Sequence, residues 1–236
     1  MVDFRQNIFT EEHDFKEGFE SVNGEFRGII PTSSEISGIE IRLSDVMIHD
    51  NKTAKVWPFP GLAKVYFLDI VVSDVNADSI SLDLKGFEKV NDGDSLNVDR
   101  TLYLWQEEES SKIAPTQVHI FTSLLKSKQD LRNVSEVLTQ INSDEDYKNL
   151  VSNLGTVLKT TSQLSNISNI IFNVADIAGK YLGEVEDKPL LTWFQSFTNI
   201  NGDWDHDGKT EKNADNKYAG MKLVCIVRDK DRAPQS

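Results

Sequence analysis

A mostly β fold with an inserted helical segment is what this sequence predicts, on three observations. Short apolar stretches of alternating or β-branched character are separated by turn residues from Gly24 to Gln106. A proline-free stretch from 117 to 182 then repeats Leu, Ile and Val at helical spacing. After Pro189 the β texture returns and continues to Arg228. Strands spaced by turns fit a β-sandwich better than β-α-β units. The expectation is one β-sandwich domain over residues 23–236, with a helical insertion at about 116–183 and an α+β class overall.

Residues 1–22 carry Glu11, Glu12, Asp14, Glu17 and Glu20, and a polar, peripheral N-terminal arm is expected there. Phe26 to Ile30 reads as a strand. In the next, Ile39, Ile41 and Leu43 alternate with Glu40, Arg42 and Ser44, and the phase changes at Val46 and Ile48, the mark of a bulge. Asp50 to Thr53 is a turn. Trp57-Pro58-Phe59-Pro60-Gly61 is a stiff connector, because each proline fixes its own φ and restricts the residue before it.

Ala63 to Ser73 (AKVYFLDIVVS) is a nearly continuous apolar run, the pattern of a strand covered on both faces. Ile80, Leu82 and Leu84 alternate with polar residues, Asn91 to Asp94 is a tight turn, and Thr101 to Gln106 is another strand. In the helical segment, Leu150, Leu154, Val157 and Leu158 form one stripe. Ile167, Ile170, Ile171, Val174, Ile177, Ala178 and Tyr181 form another. Ser143 before Asp144, Glu145 and Asp146 marks a helix start, and Gly183 a stop. Leu190 to Ile200 and Tyr218 to Arg228 are the closing strands, the second with Leu223, Cys225 and Val227 on one face.

The bulk numbers narrow the function. The chain has 236 residues, long enough to bury a core without staples, and a net charge of −13. That charge and the lack of a basic patch exclude nucleic acid as an expected partner. One cysteine, Cys225, excludes an internal disulfide. No run of about 18 apolar residues occurs, and the first residues lack the pattern of a secretory signal. The expected location is the cytoplasm, or outside the cell after release without a standard signal peptide. The four histidines are far apart, and no nucleophile elbow, P-loop or dinucleotide fingerprint is present. A non-enzymatic role is therefore expected.

The chemistry concentrates between Asp203 and Asp215, read as one acidic loop. Asp203, Asp205 and Asp207 alternate and Gly208 follows. Calcium takes six to eight oxygens, and alternating carboxylates in a curled loop can aim them at one point. Without a cation the three would repel one another. The run resembles the start of an EF-hand loop, but Ala214 stands where that motif needs its glutamate and the flanks read as strands, so an EF-hand is rejected. Asp215, Glu211 and Asn213 are the later candidate ligands, and a solvated acidic turn is the competing reading. Trp204, among these acids, is either an exposed docking residue or a plug for the loop.

Two more segments join the candidate set. Leu223 to Arg232 places Asp229 and Asp231 straight after a strand, and Asp74, Asn76 and Asp78 follow the long central strand. A strand followed by Asp-x-Asp resembles a calcium-loop segment of C2 domains, the β-sandwich modules that bind calcium and often lipid. The resemblance covers about ten residues at the chain's end, and the helical segment has no counterpart in such a domain. It implies a calcium-dependent contact with a membrane surface or another protein. The predicted metal ligands are thus Asp203, Asp205, Asp207, Asp215, Asp229 and Asp231. Two alternatives stand beside this reading: a membrane-active, pore-forming type of protein using the helical segment, and an assembly subunit with no metal.

Overall fold

In the computed structural model, residues 2–10, 36–57, 61–75, 80–108, 113–160, 164–205 and 207–229 are described below. Ten strands and three helices follow in the order β1 (Ile8–Thr10), β2 (Ile36–Ile48), β3 (Ala63–Ser73), β4 (Ile80–Val90), β5 (Ser95–Leu96), β6 (Arg100–Gln106), β7 (Gln117–Ser127), α1 (Val134–Ser143), α2 (Glu145–Thr160), α3 (Leu164–Tyr181), β8 (Leu191–Thr198), β9 (Gly208–Asp215) and β10 (Ala219–Asp229). The fold is mostly β with a helical segment inserted between β7 and β8. The candidate strand at Phe26 to Ile30 lies outside the described residues.

The strands form two five-stranded sheets. One runs β1-β8-β7-β3-β4. The other carries β5 and β6 on one edge of β2, then β10 and β9 on the other. The continuous apolar run of β3 has a direct cause. Val65, Phe67 and Val71 join a core cluster shared with Ile39, Ile41 and Leu43 of the second sheet. Tyr66, Leu68, Ile70 and Val72 join another cluster with Ile167, Ile171 and Val174 of α3. The first sheet is therefore covered on both faces, by the second sheet and by the helices, and alternation has no polar face to show. In β2, which has one covered face, alternation is clean. The register skips Ser44 between the pairs Leu43–Leu223 and Asp45–Lys222, and this bulge returns Val46 and Ile48 to the core.

Four expectations are corrected. The helical insertion begins at Val134, not near 116, because Gln117–Ser127 is the central strand β7. Val118, Ile120 and Leu124 face the second sheet while Phe121 and Leu125 face the helices. The start signal near Ser143 belongs to Asp144, whose Oδ1 accepts from the N–H groups of Asp146 at 2.8 Å and Tyr147 at 3.1 Å, while Ser143 ends α1. Gly183 does stop α3, at φ 84°, a left-handed conformation that costs glycine little.

The start of the chain is no peripheral arm. Val2 and Phe4 are buried, with Phe4 edge-on to Phe121 at 5.8 Å. Gly179 admits them: a Cβ there would lie 3.3 Å from the Phe4 ring. β1 then pairs in parallel with β8, Phe9 opposite Trp193. Residues 11–22 lie outside the described set. The fourth correction bears on the site, because residues 208–215 of the expected acidic loop are strand β9, hydrogen-bonded along its length to β10.

Among the described residues no helix is long and apolar enough to cross a membrane.

Candidate functional site

Topology decides which acids meet. β3 ends at Ser73, which pairs with Val118 near the start of β7, and Gln117 pairs with Thr198 at the end of β8. In the other sheet, Val227 near the end of β10 pairs with Gly208 at the start of β9, and Gly38 of β2 pairs with Gln106 at the end of β6. The segments after β3, after β6 and after β8 and the end of β10 therefore emerge at the same end of the two sheets. Asp74, Asp203, Asp205, Asp207 and Asp229 share that end, although they come from three distant parts of the sequence. Ile113 and Ile200, 67% and 83% exposed, stand in its loops.

Asp215 does not belong to this group. It closes β9 seven residues beyond Gly208, a distance of roughly 23 Å at strand rise. There its carboxylate lies 2.9 Å from Nε2 of His49. Glu211, midway along β9, is held by Lys209 at 2.6 Å and Lys222 at 3.5 Å, and these lysines lower its pKa. Asn76, Asp78, His206 and Asp231 lie outside the described residues.

The loop between β8 and β9 is built from its own polar groups. Asp203 Oδ2 accepts from the Thr198 N–H at 2.7 Å, and the Asp203 N–H donates to the Thr198 carbonyl at 3.2 Å. The Gly202 N–H donates to the Asn199 carbonyl at 3.1 Å, and the Asp205 N–H to the Gly202 carbonyl at 3.1 Å. Gly202 takes φ 73°, and a Cβ there would come 2.7 Å from Asp205 Oδ2. The left-handed φ disfavours a side chain there, and a Cβ would also require the Asp205 carboxylate to shift. Trp204 is the plug: it is 1% exposed and stacks on Phe197 at 6.2 Å. Asp74 serves a similar local role, accepting from the N–H and hydroxyl of Thr116 and tying the segment after β3 to the start of β7.

The described carboxylates are thus at one end but not at one point. Among the described residues no three of His, Cys, Asp and Glu are gathered closely enough to hold a metal ion. Asp203 does reach the core strand beneath it. Burial, with the Asp203 charge adding to it, pushes the Cys225 thiol up to about 12, so the sulfur is a neutral core group at neutral pH.

The sequence reading missed one carboxylate altogether. Asp69 sits in the middle of β3, 1% exposed, on the face turned to the second sheet with Phe67 and Val71. Arg100 of β6 donates one guanidinium nitrogen to Asp69 and another to Asp83 of β4. The ion pair therefore ties the two sheets together at their β4/β6 edge, over a cavity of about 70 Å³ lined also by Ser81, Thr101 and Leu102. Burial outweighs the attraction of Arg100 and pushes Asp69 up to about 7. Ser73 and Tyr103 make a second tie, hydroxyl to hydroxyl at 3.0 Å. A lone acid inside an otherwise apolar strand was the signal available.

His119 is a further buried ionisable group. Its Nδ1 lies 2.8 Å from Ser196 Oγ, its Nε2 lies 3.1 Å from Gln117 Oε1, and burial pushes its pKa down to about 4. The unfolded chain takes up this proton below about pH 6.5 while the native state refuses it. The His119 contribution is complete above that pH and is lost as pH falls from about 6.5 to about 4. Asp69, with its raised pKa, acts in the opposite sense over the same range. The His119→Gln variant should therefore show a flatter fall in stability between pH 6.5 and 4 than the parent, by roughly 3 kcal/mol over the window. Urea unfolding at stepped pH measures it.

No protein-family model matches the chain, and no curated protein matches it.

Proposed function

We propose that this chain is a non-enzymatic binding module whose acidic end takes calcium and, with it, a partner surface. The observation that supports the reading is topological: the fold delivers acids from three distant segments, with exposed Ile113 and Ile200, to one end of the sheets. Clustered carboxylates repel one another, and a divalent cation relieves that repulsion. As placed, the carboxylates stand apart and Asp203 is committed to the Thr198 N–H. The ion must therefore gather them, and ordering them reduces affinity toward the roughly 0.1 to 1 mM range of weak sites. Asp203, Asp205, Asp207 and Asp229 are the ligands in this reading. Asp215 drops out because β9 carries it to the other end, and Asp231 lies outside the described residues.

The membrane-active alternative asked the helical stripes to face lipid. Ile167, Ile171, Val174 and Ala178 are buried in one cluster with residues of the first sheet, so that alternative requires the helices to leave the sheet before they meet lipid. Nothing among the described residues favours the assembly subunit.

Thermal unfolding with EDTA and with calcium tests the proposal. At ten times the dissociation constant, binding adds about 1.4 kcal/mol, or roughly 3 to 5 °C in Tm for a chain of this size. The shift should vanish in Asp205→Ala and persist in Asp215→Ala. No shift at about 10 mM calcium, well above the weak-site range, would reject calcium as the ligand.

A further inference from the structure

Asparagine followed by glycine occurs at Asn23-Gly24 and at Asn201-Gly202. The first pair lies outside the described residues. The second stands in the loop between β8 and β9, and its surroundings set it apart from other asparagines of the fold.

Asn201 is exposed. Its N–H donates to Thr198 Oγ1 at 3.1 Å, and its side-chain amide has no hydrogen-bond partner among the described residues. Elsewhere the amides are tied down. Asn7 donates through Nδ2 to the Pro189 carbonyl at 2.8 Å, Asn51 to the carbonyls of Gly61 and Val90, and Asn216 to the Leu190 carbonyl at 2.9 Å. Asn133 caps α1, its Oδ1 accepting from the N–H groups of Ser135 and Glu136. These four are followed by Ile8, Lys52, Lys217 and Val134, whose side chains crowd their own backbone nitrogens. Gly202 has no side chain to do so, and it takes φ 73° at little cost.

We propose that Asn201 is a site of spontaneous deamidation, which adds a carboxylate to the acidic end as the protein ages. The backbone nitrogen of Gly202 attacks Cγ of Asn201. The new N–Cγ bond closes a succinimide ring, the Cγ–Nδ2 bond breaks, and ammonia leaves with the proton that the Gly202 N–H gives up. Water then opens the ring. Cleavage of the N–Cγ bond gives aspartate, and cleavage between the nitrogen and the main-chain carbonyl carbon of residue 201 gives isoaspartate. Nothing is oxidised or reduced, and water is the co-reactant.

The fold restrains the reaction without blocking it. The Gly202 N–H donates to the Asn199 carbonyl at 3.1 Å, and attack requires that bond to open, as loop bonds near solvent do. The native rate therefore lies below that of the unfolded chain. Aspartate at 201 leaves the backbone intact and adds a charge near Asp203 and Asp205. Isoaspartate adds a carbon to the main chain inside the run of turns that carries Trp204, stacked on Phe197. The proposal does not rest on calcium binding, because the chemistry needs the loop and water alone.

The test is peptide mapping by mass spectrometry of the full chain, held for days in mildly alkaline buffer at physiological temperature, with and without denaturing urea. Mapping separates Asn23 from Asn201. The expected result in the native protein is a gain of one mass unit at Asn201, faster as pH rises because the attacking nitrogen must lose its proton, with Asn7, Asn51, Asn133 and Asn216 unchanged. Isoaspartyl methyltransferase should label the same peptide, and urea should speed the conversion. Asn201→Gln, whose extra methylene enlarges the ring to be closed, should lose the gain, and circular dichroism shows that this surface variant remains folded. Absence of the gain in the native protein, an equal gain at the hydrogen-bonded asparagines, or an equal gain at residue 201 of Asn201→Gln would overturn the proposal.

Discussion

At about pH 8, replacing Arg100 with alanine is expected to destabilise the fold by about 3 to 5 kcal/mol, because Asp69 would be buried with no counter-charge and would have to take up a proton. Asp69 is 1% exposed and faces the inter-sheet core, and Arg100 is the cation that reaches it while also holding Asp83. The pair itself is not expected to stabilise much, since removing two charges from water offsets their attraction. The double variant Asp69→Leu/Arg100→Met should therefore recover most of the loss, and chemical denaturation of the parent and the variants measures both effects. The pH dependence follows from the raised pKa of Asp69, about 7 in the folded state. A group raised on folding contributes stability below its unfolded pKa, near 4, and that contribution is lost as pH rises through about 7. The Arg100→Ala defect should accordingly be smaller at about pH 5, where Asp69 is protonated, than at about pH 8.

Phe4→Ala should cost about 3 to 5 kcal/mol, as truncation of a buried aromatic does. Phe4 is fully buried, edge-on to Phe121, and its ring packs on Gly179 of α3. In the companion Gly179→Ala a methyl group meets the same ring at 3.3 Å, so the gain of about 1 kcal/mol that alanine brings to an open helix position should be reduced or lost. If the chain start were peripheral, Phe4→Ala would lie within about 0.5 kcal/mol of the parent and Gly179→Ala would show the full gain. Urea midpoints separate the two cases.

The same residues show where the sequence was legible. Strand β2, with one covered face, announces itself by alternation, and even the bulge at Ser44 appears as a phase shift. Strand β3 was legible for a different reason, its concentration of β-branched and aromatic residues. Strand β7 was not, because Leu124 and Leu125 face opposite clusters and leave no period to distinguish strand from helix. Strand β9 failed from the other side. As an edge strand, it buries Ala214 alone among GKTEKNAD, and its polar residues look like loop.

The chain start was illegible because Val2 and Phe4, set among Asp3 and Arg5, are too short a run to form a pattern. In the acidic segment the cluster of aspartates was plain. Which carboxylate binds a backbone N–H, and which is carried off by a strand, is set by pairings with β8 and β10 that local sequence does not encode. Asp69 was visible as the one acid in AKVYFLDIVVS, and its partner Arg100 was not, because 31 residues separate them.

The central claim is that the acidic end is the binding end. Titrating calcium into the ¹⁵N-labelled protein and following backbone amide resonances tests it most directly. The account predicts saturable changes confined to residues 198–208, 225–229 and the neighbouring segments near Asp74 and Thr116, with Asp215 and His49 unmoved. Resonances that stay in place throughout, or that move first around His49 and Asp215, would contradict it.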